Sequence, residues 1–284
     1  MDAVQLATFQ AVIEGGSFEA AARTLHVTPS AVSQRIKALE QAVGQVLVRR
    51  TKPCEATEAG QALVRLAGQV ALLEREALAA ARGAVGGGGR TRLSIVVNAD
   101  SLHNWFLPAL AALPAEPPLS FELHQDDEDH TADLLRAGTA MAAVTAQHVA
   151  VQGCRVEKLG AMRYLAVAAP GHFAGFAATP MLVFNRKDRL QHRFLAALGH
   201  GGQEPPIHYI PAANAFTEAI RLGLGWGMVP EQAAREEFAA GRGLDLAPGR
   251  HQDVPLYWQY WRMESTVLQA LTKAVKAAAA GALR

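Results

Sequence analysis

Apolar residues recur at every third or fourth position between Val32 and Leu39, which predicts a helix with one buried face. Thr28 and Pro29 mark its start, because threonine suits the N-cap and proline suits the first helical position. The other face carries hydroxyls, carboxamides and an ammonium group but no carboxylate, at Ser30, Ser33, Gln34, Lys37 and Gln41. Such groups can bind base edges and phosphates in a DNA major groove. The same pattern also describes an ordinary amphipathic surface helix.

The residues before this helix favour the DNA-binding interpretation. Ser17 can cap a short helix that begins at Phe18, and His26 and Val27 leave only a tight turn before Thr28. With a first helix over residues 3–13, this is the helix-turn-helix arrangement, in which the second helix of the motif reads DNA.

Two short extended segments, residues 45–50 and 55–57, follow the predicted recognition helix. They predict a hairpin around residues 52–54, the wing of a winged helix-turn-helix, whose cations suit phosphate or minor-groove contact. The predicted DNA-binding residues of the whole region are Ser17, Phe18, Thr28, Pro29, Ser30, Ser33, Gln34, Arg35, Lys37, Arg49, Arg50 and Lys52.

A single long helix is predicted over residues 58–82. Its apolar residues follow the 3-4-3-4 spacing of a coiled-coil seam, at Leu63, Leu66, Val70, Leu73 and Ala77. We expect the first four to form a dimer interface, since a helix-turn-helix protein usually contacts two half-sites. The alternative is a helix that lies on its own domain. A glycine-rich break over residues 83–89 then marks a domain boundary.

From Arg92 onward, strand and helix patterns alternate. Strands are predicted over residues 93–98, 119–125, 142–146, 164–169, 181–185, 208–210 and 256–261. Helices are predicted over residues 102–113, 131–136, 191–198, 216–222, 231–239 and 266–280. Two similar halves of this kind predict two α/β lobes with a ligand site between them.

Composition permits this organisation without requiring it. A chain of 284 residues is long enough for two domains, and its net charge of +1 does not by itself indicate nucleic-acid binding. The local distribution is more informative, because the cations of the predicted DNA-binding set should crowd one side of the first domain. The sequence has no signal-peptide pattern and no apolar run of membrane-spanning length, so we expect a cytoplasmic protein. Its two distant cysteines do not make a disulfide framework.

Many positions of the first 60 residues follow one ordered pattern, which includes Leu6, Phe9, Gly16-Ser17-Phe18, Ala21-Ala22, Leu25, residues 28–33, Ile36, Leu39-Glu40 and Thr57-Glu58-Ala59-Gly60. This pattern resembles the N-terminal domain of LysR-type transcriptional regulators. The resemblance implies a winged helix-turn-helix over residues 1–60, a linker and dimerisation helix with its hinge over 61–91, and a two-lobed, periplasmic-binding-protein-like α/β effector domain over 92–284. Lobe I would comprise about 92–162 and 262–284, and lobe II about 163–261.

A narrower resemblance extends over nearly the whole chain. It rests on ordered segments that include residues 98–101, 105–106, 126–130, 142–145, 151–156, 162–165, 185–186, 223–228 and 253–258. These segments resemble the LysG/ArgP branch of the LysR-type family, regulators that sense lysine or arginine and control a basic amino-acid exporter. The resemblance therefore implies a small-molecule effector, L-lysine or L-arginine, and no other cofactor.

The predicted effector site contains polar residues near strand ends and one candidate cleft-wall residue, Trp105. The helix after Asn98 could hold an α-carboxylate at its start, near Ser101, and acidic groups such as Asp127 could neutralise a cation. The whole predicted set is Asn98, Asp100, Ser101, Trp105, Asp127, Thr145, Asn185 and Asp188. Aspartates at such positions are more often helix caps or surface groups, and that alternative stays open.

The expected partners are an operator in double-stranded DNA, a second copy of the chain (as a homodimer or a dimer of dimers) and, for an activator, RNA polymerase. No membrane, metal or catalytic residue is predicted. One alternative is a LysR-type regulator of another small-molecule or redox signal, although only Cys154 lies in the effector domain. Another is a solute-binding protein or enzyme built on the same lobes.

Overall fold

The computed structural model describes residues 1–82, 90–125 and 131–284, and within them the chain divides into two compact units. The first unit comprises Met1–Val97, Ala112–Glu157 and Trp258–Ala274. The second comprises Asn98–Ala111, Lys158–Tyr257 and Val275–Arg284, so it takes two segments that the predicted lobe II does not include. The predicted domain bounds stay predictions. The glycine-rich break at 83–89 and the acidic run at 126–130 lie outside the described residues.

Three helices and a hairpin open the first unit. They are α1 (Ala3–Gly15), α2 (Phe18–Thr24), α3 (Pro29–Val43), β1 (Val48–Arg49) and β2 (Glu55–Ala56). The predicted caps are present, since the Ala20 amide donates to Ser17 Oγ at 3.1 Å and the Ala31 amide donates to Thr28 Oγ1 at 3.2 Å. The apolar faces share one core that contains Phe9, Val12, Val32, Ile36, Leu39 and Leu47. β1 and β2 pair antiparallel, which confirms the predicted wing.

The predicted long helix is α4 (Glu58–Arg82), and one of its sides packs within the first unit. A Cβ at Gly68 would lie only 2.6 Å from Trp261 Cη2, so glycine lets the helix approach this indole. Further along the helix, the Glu76 carboxylate accepts hydrogen bonds from Ser265 Oγ at 2.6 Å and from the Val267 amide at 3.0 Å. The rest of the first unit therefore fixes the direction of α4.

The effector part of the first unit is a parallel sheet. β3 (Thr91–Val97) lies between β4 (Leu119–Gln125) and β5 (Ala142–Thr145) and pairs parallel with both. Nearly every residue of β3 is buried, as expected for a central parallel strand. The helix α7 (Thr131–Arg136) contributes Leu135 to a core with Val96, Ala140, Ala143 and Val151.

The second unit begins with a continuous helical segment: α5 (Ala99–Ser101), a π-helical stretch (Leu102–Phe106) and α6 (Leu107–Ala111). Its strands are β6 (Cys154–Ala168), β7 (Met181–Val183), β8 (Ile207–Tyr209), β9 (Gly227–Pro230), β10 (Leu244–Asp245) and β11 (Gln252–Trp261). Its helices are α8 (Leu190–Ala197), α9 (Ala213–Arg221) and α10 (Glu231–Ala239), and the last helix, α11 (Thr266–Ala282), belongs to the first unit up to Ala274 and to the second unit from Val275. β6 pairs antiparallel with β9 and β10, and β7 pairs parallel with β8. The chain passes between the units five times: after Val97, after Ala111, inside β6, inside β11 and inside α11.

Most predicted elements are present, and the differences concern strands. β6 extends over 15 residues instead of the predicted six at 164–169, because polar residues such as Arg155 and Lys158 hide its alternation. The prediction also missed β9 and β10, since the first lies in a glycine-rich stretch and the second has two residues. Within the described part of the chain, none of the helices combines the length and the apolar character needed to cross a membrane.

Candidate functional site

The outer face of α3 presents exposed polar side chains. Ser30, Gln34 and Lys37 are exposed, while Ser33 is half-buried. Thr28 caps the helix and Pro29 occupies its first turn, so these two residues set the direction of the face. Within the described residues, the Gln34 carboxamide and the Lys37 ammonium group have no intramolecular partner, and both are available to an external ligand.

Arg35, also predicted to contact DNA, lies differently from its neighbours on α3. Its Nη1 donates to Thr8 Oγ1 at 3.4 Å, and Thr8 is fully buried on α1. The Thr8 hydroxyl in turn donates to the Val4 carbonyl at 2.7 Å. Arg35 thus links α3 to α1, and its guanidinium is partly used inside the protein.

The wing brings one of its predicted cations, Arg50, close to the start of α2. The Arg50 guanidinium lies over the Phe18 ring, 4.8 Å from the centroid, which is cation–π geometry. Arg49 Nη2 donates to the Ala56 carbonyl at 3.4 Å within the hairpin, and Lys52 is exposed at its tip. Wing and recognition helix therefore place separate cations on the surface of one small domain.

In the second unit, the predicted effector residues cluster at the start of the helical segment. Asn98 caps it, because Asn98 Oδ1 accepts from the Ser101 amide at 2.9 Å. The Ser101 side chain is fully buried, and its hydroxyl has no hydrogen-bond partner among the described residues. One turn later, Trp105 is 3% exposed and its indole N–H is also unpartnered there. Trp105 belongs to the π-helical stretch, a local geometry that is frequent at functional sites.

Asp100 lies beside Ser101 and contacts a residue that the sequence did not suggest. Tyr164, on β6 and 2% exposed, donates its hydroxyl to Asp100 Oδ2 at 2.7 Å. Burial raises the pKa of the Asp100 carboxyl above its ordinary value; the Tyr164 hydrogen bond opposes this shift, the charge of Asp188 adds to it, and His103 opposes it. Tyr164 stands within a segment that resembles the LysG/ArgP branch, and a phenol directly before the aliphatic run 165–169 is the signal that could have identified it.

Asp188 and Asn185 belong to one loop before α8, and both also support that loop. Asp188 Oδ2 accepts from the Phe184 amide at 3.1 Å and its Oδ1 from the Leu190 amide at 2.8 Å. Asn185 Oδ1 accepts from the amides of Lys187 and Asp188 at 2.8 and 3.1 Å. The capping role that the sequence left open is therefore present here, next to the charge that Asp188 contributes near Asp100.

The two remaining predicted effector residues are not part of this cluster. Thr145 belongs to the first unit, where it is fully buried and its Oγ1 accepts from the Gln147 amide at 3.1 Å. Asp127 lies outside the described residues. Within the described part of the chain, no group of histidine, cysteine, aspartate and glutamate side chains is arranged to hold a metal ion.

Two protein-family models match the chain. The model of bacterial regulatory helix-turn-helix proteins of the lysR family matches residues 4–61, and the LysR substrate binding domain matches residues 86–280. The matches follow the fold described above, with a winged helix-turn-helix and an effector-binding region in two lobes, and so confirm the predicted fold class.

Individual relatives are similar over the full chain. The HTH-type transcriptional regulator LysG of Mycobacterium tuberculosis is 48% identical over 100% of this chain and 95% of that protein. The lysine export transcriptional regulatory protein LysG of Corynebacterium glutamicum is 43% identical over 100% of both chains. Among solved structures, ArgP from Mycobacterium tuberculosis has a TM-score of 0.90 at 48% identity, covering 100% of this chain and 99% of its own. Full-length LysG from Corynebacterium glutamicum with bound effector Arg has a TM-score of 0.83 at 42% identity over 100% of both.

Proposed function

This chain belongs to the LysR family of bacterial helix-turn-helix regulators, in the branch of LysG and ArgP, as a DNA-binding transcriptional regulator and not an enzyme; from that premise we propose that lysine or arginine is its effector. The regulated promoter would serve a basic amino-acid exporter gene, by similarity to the lysine export regulator LysG. The observation that carries the effector proposal is the cluster of Ser101, Asp100 and Asp188 in the second unit.

Ser101 is the group we assign to the effector's α-carboxylate. A buried hydroxyl without a partner costs free energy until a ligand satisfies it. The Ser101 hydroxyl is in this state within the described residues, at the start of a helical segment whose dipole favours an anion. A carboxylate placed there would accept the serine O–H hydrogen bond and interact with the positive end of the helix.

Asp100 and Asp188 are the groups we assign to the effector's α-ammonium. The ammonium of an amino acid lies one carbon from its carboxylate, and Asp100 is the residue next to Ser101. Among the described residues, no lysine or arginine pairs with Asp100, so its cation is to be supplied by the ligand. The side-chain cation of lysine or arginine is assigned to Asp127, which stays a prediction. Trp105 and Asn185 are retained as supporting residues of this site, and an effector role for Thr145, which lies in the first unit, stays a prediction.

The exposed groups of α3 are assigned to DNA bases and phosphates, with Gln34 on a base edge and Lys37 on the backbone. The wing cations Arg49, Arg50 and Lys52 are assigned to phosphates. The other predicted DNA-binding residues keep their assignments, with Arg35 and Thr28 also orienting the helix. Because the protein acts on chromosomal DNA, we place it in the cytoplasm.

We further assign the seam on α4 to a homodimer. At about 100° per residue, Leu66, Val70 and Leu73 lie roughly opposite Gly68, which contacts the chain's own first unit, while Glu76 lies beside Leu73 at the flank of the seam. Leu73 is 42% exposed, whereas Leu63 packs against the N-terminal core. The free side of α4 is thus available to a second copy. A dimer of dimers, and contact with RNA polymerase if the protein is an activator, belong to the same proposal.

A redox signal is less well supported than an amino acid. Burial raises the pKa of the Cys154 thiol above its ordinary value, and the charge of Arg65 only partly opposes this shift. Since the thiolate is the reactive form, Cys154 is poorly suited to rapid oxidation. The Cys54 and Cys154 side chains are both free and half-buried.

Calorimetric titration of the full chain with L-lysine, L-arginine, L-norleucine and L-glutamate tests the effector proposal. We expect lysine or arginine to bind at least about tenfold more tightly than norleucine, because a neutral side chain leaves an acidic group unpaired. A chain that binds neither basic amino acid, or binds norleucine equally well, would disprove the proposed effector class.

A further inference from the structure

The carboxyl group of Asp100 has unusual neighbours for a largely enclosed acid. On one side, Tyr164 of β6 donates its hydroxyl to Oδ2 at 2.7 Å. Asp188 brings a second negative charge from the loop before α8, and His103 approaches from the same helical segment. Among the described residues, these are the titratable groups that act on Asp100, and none is a lysine or arginine. Two carboxyl groups therefore share one region without a strong cation between them.

We propose that Asp100 carries a proton when the site is empty and releases it when the α-ammonium group of the effector binds, with Tyr164 as the positioning residue that holds the carboxyl. The inference rests on the proposed function, and it states that effector binding is accompanied by the release of one proton. The Asp100 O–H bond breaks, its proton passes to solvent, and the carboxylate that remains pairs with the –NH₃⁺ group. No covalent bond to the effector forms, and the effector keeps all its protons.

The physical basis is the cost of two negative charges in a partly dehydrated site. Burial is the largest cause that raises the pKa of Asp100, and Asp188 acts in the same direction. An ammonium group placed beside both carboxylates favours the charged form, so binding lowers the pKa of Asp100 again. Proton release and affinity are then linked. Affinity should increase as pH rises through the raised pKa of the empty site, and should level off above it.

Calorimetry in buffers of different ionisation enthalpy measures this proton directly. The full chain is titrated with L-lysine between about pH 5 and about pH 8, and the apparent enthalpy is plotted against the buffer enthalpy. We expect release of up to one proton per lysine at the acidic end, declining toward neutral pH. The matched ligand is 6-aminohexanoate, which has the same length, carboxylate and terminal ammonium but no α-ammonium. It should bind more weakly and release no proton.

Two variants should move the pH profile in opposite directions. Tyr164→Phe removes a hydrogen bond that favours the charged carboxylate, so proton release should extend to higher pH. Asp188→Asn removes the like charge, so release should retreat to lower pH. Tyr209→Phe is the matched control, since Tyr209 is 43% exposed on β8, and it should leave the profile unchanged. A merely structural role for Tyr164 would lower affinity equally at every pH.

The possible outcomes distinguish proton release by Asp100 from the proposed binding of lysine or arginine. Lysine binding with an enthalpy independent of the buffer over the whole range would overturn proton release and leave the effector proposal standing. Equal proton release with 6-aminohexanoate would show that Asp100 does not respond to the α-ammonium. A protein that binds neither lysine nor arginine at any of these pH values would refute both proposals.

Discussion

Two enclosed carboxyl groups in the second unit, Glu237 and Asp100, have opposite electrostatic surroundings. Glu237 on α10 is 3% exposed and accepts from Arg221 at 2.6 and 2.8 Å and from Arg242 at 3.1 and 3.2 Å. These hydrogen bonds lower the pKa of Glu237 to about 2. Asp100 has a phenol and a second carboxylate instead, and its pKa is raised. Burial is common to both carboxyl groups, and the presence or absence of neighbouring cations decides whether the pKa is lowered or raised.

The difference separates a structural acid from a binding acid. Glu237 receives its cations from the chain and joins α9 to the end of α10, so folding satisfies it completely. Within the described residues the Ser101 hydroxyl has no hydrogen-bond partner and Asp100 has no lysine or arginine beside it, a cost that a ligand can repay. Enclosed polar groups left without partners are thus better guides to this site than enclosure or charge alone.

Replacing the structural acid should give the largest effect. We expect Glu237→Ala to lower the free energy of unfolding by about 2 to 3 kcal/mol, since Arg242 loses its partner and Arg221 keeps only the exposed Glu218, while both retain partial access to water. Glu218→Ala is the matched control, because Glu218 also pairs with Arg221 but is 54% exposed. That variant should cost less than about 0.5 kcal/mol in a denaturant titration. Equal losses of unfolding free energy in the two variants would mean that the burial of Glu237 does not strengthen its ion pairs.

The pH dependence of stability should differ between the two acids in sign. The stabilisation from Glu237 is present above its ordinary pKa of 4.5 and is lost as pH falls toward its folded value of about 2. Asp100 has a raised pKa, so its contribution is present below 3.8 and is lost as pH rises through the folded value. Comparing wild type with each neutral variant across acid pH by thermal unfolding checks both signs.

Replacing the binding acid should weaken effector binding without weakening the fold. We expect Asp100→Asn to reduce lysine affinity by about 2 kcal/mol, roughly 30-fold, through loss of a charged contact. The melting temperature of the empty protein should rise at neutral pH, because a neutral amide avoids both the cost of protonating the carboxyl and the cost of burying its charge. Asp245→Asn is the control on the same unit. This variant should change neither the affinity for lysine nor the preference for lysine over norleucine. A lower melting temperature in Asp100→Asn would show that Asp100 is a structural acid like Glu237.

The comparison also explains what the sequence could predict. The helix starts at Thr28 and Asn98 could be predicted because capping depends on neighbours along the chain. The contact between Tyr164 and Asp100 could not, because their 64-residue separation becomes a contact only through the fold of the second unit. The same holds for Arg221 and Glu237, which lie 16 residues apart on different helices. Position along the chain identified Asp100 as a candidate, and packing determined the partners of both Asp100 and Glu237.

The DNA-binding face offers a third case beside Glu237 and Asp100, namely polar groups that have no partner in the protein but are exposed to water. Gln34 has no partner among the described residues, yet water satisfies it, so Gln34→Ala should leave stability unchanged. Its loss should cost about 1 kcal/mol in operator binding and little on random DNA, because a base-edge hydrogen bond carries specificity. Gln269→Ala is the matched control, because this exposed carboxamide lies on α11, outside the DNA-binding domain. Competition binding against random duplex measures the ratio of operator affinity to nonspecific affinity. Equal losses on both DNAs would show that Gln34 does not contact a base edge.

Replacing Arg50 should have the smallest effect on DNA affinity, and the effect should be the same for all DNA sequences. Its guanidinium is exposed and lies over Phe18, so the ring fixes its position without neutralising its charge. Arg50→Ala should weaken operator and random DNA alike, by about threefold at moderate salt, and reduce the slope of log affinity against log salt by about one. Arg50→Lys keeps the charge and should restore most of the slope. Arg193→Ala, an exposed cation on α8, should leave the slope unchanged. Loss of operator binding alone in Arg50→Ala would instead assign this arginine to a base, and the wing would then read sequence as α3 does.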